Sequence, residues 1–168
     1  MKYLGYGLLI IVGLALQTAS PGLVVLGRQP ELLLLLTLLL AMLQEPGAAV
    51  FGFVSGLLQD ILVGQFIGLY AGTYLLMAVL VGFLAKRLYK ENLLVRFFAI
   101  VSGTLLGQLL YVFGAASFGS ASPESWTLVS GILGTGLFNG IVGVLLYRPF
   151  VALNQRLVYL HELLKRTG

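Results

Sequence analysis

The stretch PGAAVFGFVSGLLQD, residues 46–60, combines an apolar helical pattern with small residues and one carboxylate. Gly52, Gly56 and Asp60 follow one another at four-residue steps, so a helix places them on one face. Glycines on such a face let a second helix approach backbone to backbone, which is how helices associate in lipid. An acid inside a membrane segment faces the bundle interior or a wet cavity. The stretch therefore predicts a helical membrane protein whose other helices pack around this one.

The whole sequence has the composition of an integral membrane protein. Of its 168 residues, 59% are hydrophobic and only 10% are charged, and several apolar runs are long enough to cross a bilayer. These runs are continuous and rich in leucine, which argues against the alternating pattern of a β-barrel. Crossings and short loops use almost the whole chain. Residues 1–168 are therefore predicted to form a single membrane domain.

Six apolar runs predict an all-α membrane protein, a six-transmembrane helical bundle. The first run, about residues 4–26, is interpreted as a retained helix because it is too long for a cleaved signal peptide. The second and third, residues 32–43 and 46–63, are short for the ~30 Å bilayer core. They are either two short or tilted spans or one re-entrant hairpin. The remaining helices are predicted at about residues 69–84 and 94–113 and in a segment that ends at Tyr147.

Residues 148–168 are predicted to form a C-terminal amphipathic helix. Phe150, Leu153 and Leu157 recur at three- and four-residue steps, with polar and charged residues between them. An apolar stripe of this kind either lies on the membrane surface or docks on a partner. The sequence leaves both possibilities open.

The basic residues indicate the orientation of the chain in the membrane. The net charge is +4, but the lysines and arginines sit in loops and in the tail, so we interpret them as topology signals and contacts with anionic lipid. Nucleic acid is not a predicted partner. With the N-terminus inside, the outer side receives only Arg28, which favours both termini in the cytoplasm. The inner side receives Lys2, Lys86, Arg87, Lys90, Arg96, Arg148, Arg156, Lys165 and Arg166.

The inventory of reactive side chains argues against an enzyme. There is no cysteine and only one histidine, His161, which excludes thiolate and multi-histidine metal sites. Neither a hydrolytic triad, nor paired carboxylates, nor a phosphate-binding loop is evident. The sequence therefore predicts no catalytic residue, no metal and no cofactor.

Three polar residues lie within the predicted membrane helices, and each of them allows two interpretations. Asp60 could serve a proton relay or an ion site, or its carboxylate could be hydrogen-bonded and fix the third helix against its neighbours. Gln108 and Asn139 could line a small-molecule cavity or form interhelical hydrogen bonds. For all three we favour the structural interpretation.

The motif of the third helix resembles the MreD family of rod shape-determining membrane proteins. The family pattern has a proline before the second helix, then G-F-x-x-G-L-x-x-D, then a glycine-containing turn. The size and the six-helix layout also agree. The matching residues are Pro30, Gly52, Phe53, Gly56, Leu57, Asp60, Gly64 and Gly68.

The resemblance implies a scaffold in the cell-elongation complex. MreD-like proteins act with MreC, which is the expected direct partner. The same complex contains MreB, RodA and a class B penicillin-binding protein. We expect the glycine face of the third helix to meet the transmembrane helix of MreC. Further small-residue pairs, Gly68 with Gly72 and Gly103 with Gly107, are candidates for close helix contact.

The fold of MreD-like proteins is similar to that of the vitamin-binding subunits of energy-coupling-factor transporters, which supplies an alternative function. Such subunits meet their coupling partner through small residues on the first helix, and Ala15 and Ala19 show that spacing. Against this alternative, the outer loops lack a cluster that resembles a vitamin pocket. A third interpretation, a lipid-precursor flippase or a small channel, would depend on Asp60 alone.

Overall fold

The computed structural model of the chain is an all-helical bundle. It describes residues 2–19, 31–63, 65–87, 92–120 and 125–167, and within these ranges every regular element is a helix. The prediction of six helices is confirmed. They are α1 (Lys2–Ala19), α2 (Leu32–Met42), α3 (Ala48–Val63), α4 (Leu69–Ala85), α5 (Leu93–Ser117) and α6 (Ser125–Thr167).

Only some of the described helices are long enough to span a membrane. Among the described residues, Leu93–Ser117 and Trp126–Tyr159 are long and apolar enough to span one. The other apolar helices are shorter, and α2 has only 11 residues, as the sequence predicts. The part of the predicted first span beyond Ala19 lies outside the described residues.

The centre of the bundle is α2 and not α3, in contrast to the sequence-based expectation. The short helix touches all five other helices. Six of its leucines are almost completely buried, namely Leu33, Leu34, Leu35, Leu38, Leu39 and Leu40. A helix that is apolar on every side has no face to present to a polar environment, so it becomes the core. Because lipid is as apolar as leucine, this core is stabilised by close packing rather than by exclusion of water.

The last helix does not end at Tyr147, so the prediction of a separate tail is wrong. α6 continues through Pro149 as one helix of 43 residues. A proline inside a helix removes one backbone hydrogen bond, and contacts elsewhere must compensate. The apolar stripe of this segment supplies them, because Phe150 is buried and Leu157 packs on Gly5 of α1. The amphipathic segment thus docks on the bundle of its own chain.

Candidate functional site at the α3–α4 hairpin

Gly52 and Gly56 bring α3 into backbone contact with α4. A Cβ atom on Gly56 would lie 2.5 Å from the carbonyl oxygen of Tyr70 and 2.6 Å from the Cα of Ala71. A Cβ on Gly52 would lie 2.8 Å from the carbonyl oxygen of Tyr74. These distances are too short for any side chain, and a backbone cannot rotate out of the way as a side chain can.

The glycine face of α3 is therefore not open to another protein. The expectation that it meets the transmembrane helix of MreC is corrected, because α4 of the same chain covers it. The opposite face of α3 is the exposed one. It carries Phe53, which is 43% exposed, together with Val50 and Val54.

The carboxylate of Asp60 binds the N-terminus of α4. Its Oδ1 accepts a hydrogen bond from the backbone N–H of Tyr70 at 2.9 Å. Its Oδ2 accepts two more, from Gly68 at 2.9 Å and from Ala71 at 3.0 Å. The first N–H groups of a helix have no partner within the helix, and the helix dipole favours negative charge there. Asp60, only 1% exposed, is thus a capping residue supplied by the preceding helix.

The turn between α3 and α4 depends on glycine at one position. Gly68 has φ +99° at the N-cap of α4, a left-handed conformation that side chains with a Cβ rarely adopt. This conformation directs its N–H to Asp60. A Cβ on Gly72 would meet nothing within 4 Å, so Gly68 and Gly72 do not form a close helix contact inside the bundle. Gly64 and Pro30 lie outside the described residues.

The comparison with known proteins fits this hairpin. The family described as rod shape-determining protein MreD matches residues 1–157. The chain belongs to the MreD family. No curated protein and no solved structure matched it. The MreD motif on Gly52, Gly56 and Asp60 coincides with the residues that build the α3–α4 contact and its cap.

Membership of the MreD family supports one of the functions considered from the sequence, a role in determining rod shape. MreD proteins are rod shape-determining membrane proteins and not enzymes. The chain is therefore a membrane protein with a role in cell shape.

The structure also contains a series of hydrogen-bonded polar side chains that the sequence analysis did not predict. The hydroxyl of Tyr6 on α1 donates to Oδ1 of Asn154 at 3.0 Å, and Nδ2 of Asn154 donates to Oε1 of Glu45 at 2.6 Å. Asn154 thereby ties α6 to α1 and to the turn between α2 and α3. The only sequence signal was a polar residue within an amphipathic stripe, which by itself indicates a solvated position.

Replacing Asn154 by leucine is expected to release the end of α6 from the bundle. The change breaks one buried and one part-buried hydrogen bond and removes this partner from Tyr6 and Glu45, at a cost of about 2 kcal/mol. Hydrogen exchange in residues 150–159 should become faster. Gln155→Leu, the same kind of change at the exposed neighbouring position, is the control and should leave the exchange unchanged. Equal protection in both variants would contradict the docking role of Asn154.

Proposed function

We propose that this MreD protein is a non-enzymatic scaffold of the cell-elongation complex and binds the transmembrane helix of MreC. Family membership supports the role in rod shape. The observation that carries the scaffold role is the use of Asp60, because both of its oxygens accept backbone hydrogen bonds from α4. The acid that could have served transport chemistry thus fixes the fold. What remains available to a partner is the outer surface of the bundle.

The proposed topology has six crossings and both termini in the cytoplasm. Two observations support this orientation. Both concern basic side chains that lie at one end of the bundle. Lys86 and Arg87 follow α4 and are exposed, and the guanidinium of Arg96, near the start of α5, lies 4.6 Å over the ring of Tyr147 on α6. Lysine and arginine accumulate on the cytoplasmic side of membrane proteins, so this end faces the cytoplasm.

The proposed docking site for MreC is the groove between α4 and α5. It has a volume of about 490 Å³ and is lined by apolar side chains of both helices, among them Leu80, Leu84 and Phe98. Ala99, Ser102 and Gly103 also line it, and small residues are what membrane helices need for close approach. This groove replaces the α3 face as the partner surface. MreB, RodA and the class B penicillin-binding protein belong to the same proposed complex, and lipid contacts the remaining exposed apolar surface.

Filling the groove is expected to weaken MreC binding. Ser102→Phe places a large ring where a partner helix would approach, and recovery of MreC in co-purification should fall about tenfold, equivalent to ~1.4 kcal/mol. Leu109→Phe is the matched control, because Leu109 is exposed on the same helix two turns further on and does not line the groove. Both variants must elute as monodisperse protein. Unchanged recovery with Ser102→Phe would contradict binding of MreC in this groove.

A further inference from the structure

A slot lies between the turn that joins α2 to α3 and the last two turns of α4. Its volume is about 320 Å³, within the range of sites that bind small molecules. Small buried side chains line it together with polar side chains that are more exposed. The small residues include Ala41, Ala48 and Ala78, and the polar residues are Gln44, Glu45 and Lys86.

The slot forms because the close contact between α3 and α4 ends beside it. The backbone contact of Gly52 with Tyr74, continued by one turn in each helix, brings Ala48 opposite Ala78. α3 begins there, whereas α4 continues for two more turns. A Cβ on Gly82, in those turns, would have one described neighbour within 4 Å, at 3.7 Å. This end of α4 therefore borders open space rather than a closely packed helix.

Gln44 keeps a side chain at a position where glycine would be less strained. Its φ of +58° lies in the left-handed region. The N–H of Gln44 donates to the carbonyl oxygen of Ala41 at 2.9 Å, and the N–H of Glu45 donates to that of Leu40 at 3.3 Å. This pattern is a Schellman motif, in which the left-handed residue is usually glycine. Strain of this kind is typical of functional positions, and the strained residue here lines the slot.

Charges of both signs border the slot. Glu45 comes from the α2–α3 turn and Lys86 from the end of α4. The guanidinium of Arg87 lies 5.7 Å over the ring of Phe83, which also lines the slot, so a second cation is close to the opening. Glu45 accepts a hydrogen bond from Asn154, and a carboxylate can accept several more. A ligand that carries both a phosphate and an ammonium group complements these side chains.

The position of the slot in the bundle indicates a lipid as the source of such groups. Lys86 and Arg87 are exposed at the end of α4, where long basic side chains reach the polar headgroups of a membrane. Val79 and Phe83 line the slot one and two turns deeper in α4, and both are exposed and apolar. The polar part of a phospholipid therefore fits the slot, and its acyl chains fit the apolar surface beside it.

We propose that the slot binds a phospholipid with a phosphoethanolamine headgroup. Its phosphate contacts Lys86 and Arg87, and its ammonium group donates to the carboxylate of Glu45. The amide of Gln44 serves both groups, because its NH₂ donates and its oxygen accepts. The slot shares no lining residue with the groove proposed for MreC. The lipid belongs to the inner leaflet, a statement that rests on the topology proposed above, whereas the site itself does not.

Native mass spectrometry of the full-length protein with equimolar phosphatidylethanolamine and phosphatidylglycerol tests the proposal. Phosphatidylethanolamine should be retained several-fold more, because phosphatidylglycerol has no ammonium group. Gln44→Gly should reduce this retention several-fold, although the melting midpoint stays equal or rises because glycine relieves the left-handed backbone. Gln65→Gly, the same change at an exposed position in the turn between α3 and α4, should leave lipid retention unchanged.

Filling the slot supplies a second test. Gly82→Leu adds a Cβ that fits at 3.7 Å from its neighbour, and the rest of the side chain then occupies the slot. Retention of phosphatidylethanolamine should again fall several-fold. Gly72→Leu is the matched control on the same helix, because a Cβ there meets nothing within 4 Å and Gly72 does not line the slot.

Three results would each overturn the proposal. Equal or greater retention of phosphatidylglycerol would mean that the basic side chains attract any anionic lipid. Equal retention of phosphatidylethanolamine in Gln44→Gly and Gln65→Gly would exclude Gln44 from the site. Absence of phosphatidylethanolamine from the wild-type protein would leave the slot to a segment of a partner protein. None of these measurements involves MreC, so they are independent of the proposed scaffold function.

Discussion

Gly56→Ala is expected to destabilise the bundle by about 3 kcal/mol, near the upper end of the usual cost of overpacking. The added methyl group would meet the carbonyl oxygen of Tyr70 at 2.5 Å and the Cα of Ala71 at 2.6 Å. Both atoms belong to the backbone of α4, so the clash is relieved only if the two helices move apart. That movement would also pull the α4 N-terminus away from Asp60, which binds it.

Gly72→Ala is the matched control for Gly56→Ala. Gly72 also lies inside a helix, but a Cβ there would meet nothing within 4 Å. The control should be neutral or slightly stabilising, because alanine is favoured over glycine inside a helix by ~1 kcal/mol. Thermal melting in detergent should give a midpoint about 6–12 °C lower for Gly56→Ala. Similar midpoints for both variants would contradict the backbone contact between α3 and α4.

Local features were predictable from the sequence because they are decided by neighbouring residues. The six helices follow from apolar runs separated by prolines, glycines and charges. The structural role of Asp60 was also predictable, because a single acid in an apolar helix needs nearby hydrogen-bond donors. The identity of those donors could have been inferred as well, since the next helix begins a few residues later with unpaired N–H groups.

Relations between distant segments were not predictable in the same way. A face of glycines indicates that another helix approaches closely, but it does not identify that helix. Both α4 and a helix of a partner protein were therefore compatible with Gly52 and Gly56. The central place of α2 depends on the packing of all five other helices around it. The docking of α6 beyond Pro149 on the bundle uses Asn154, whose partners Tyr6 and Glu45 lie more than 100 residues away in the chain.

Asp60→Ala is expected to have the largest effect of any single change at the hairpin. The carboxylate accepts three backbone hydrogen bonds, and bonds to a charged group contribute roughly 1.5–3 kcal/mol each. Alanine would remove the acceptor of the N–H groups of Gly68, Tyr70 and Ala71, and the bond from Ala71 is buried while the other two are part-buried. We expect a loss of about 4 kcal/mol or more, which leaves little folded protein after extraction into detergent.

Asn92→Ala provides the comparison, because Asn92 caps α5 with a single bond, from its Oδ1 to the N–H of Leu94 at 3.0 Å, at an exposed position. Its loss should cost about 1 kcal/mol. Asp60→Asn should fall between the two alanine variants, since the amide keeps one oxygen but turns an NH₂ group towards a backbone donor. The yield of monodisperse protein and its melting midpoint should therefore rank Asn92→Ala above Asp60→Asn above Asp60→Ala. If Asp60→Ala were as mild as Asn92→Ala, the start of α4 would be held by its packing on α3 rather than by the carboxylate.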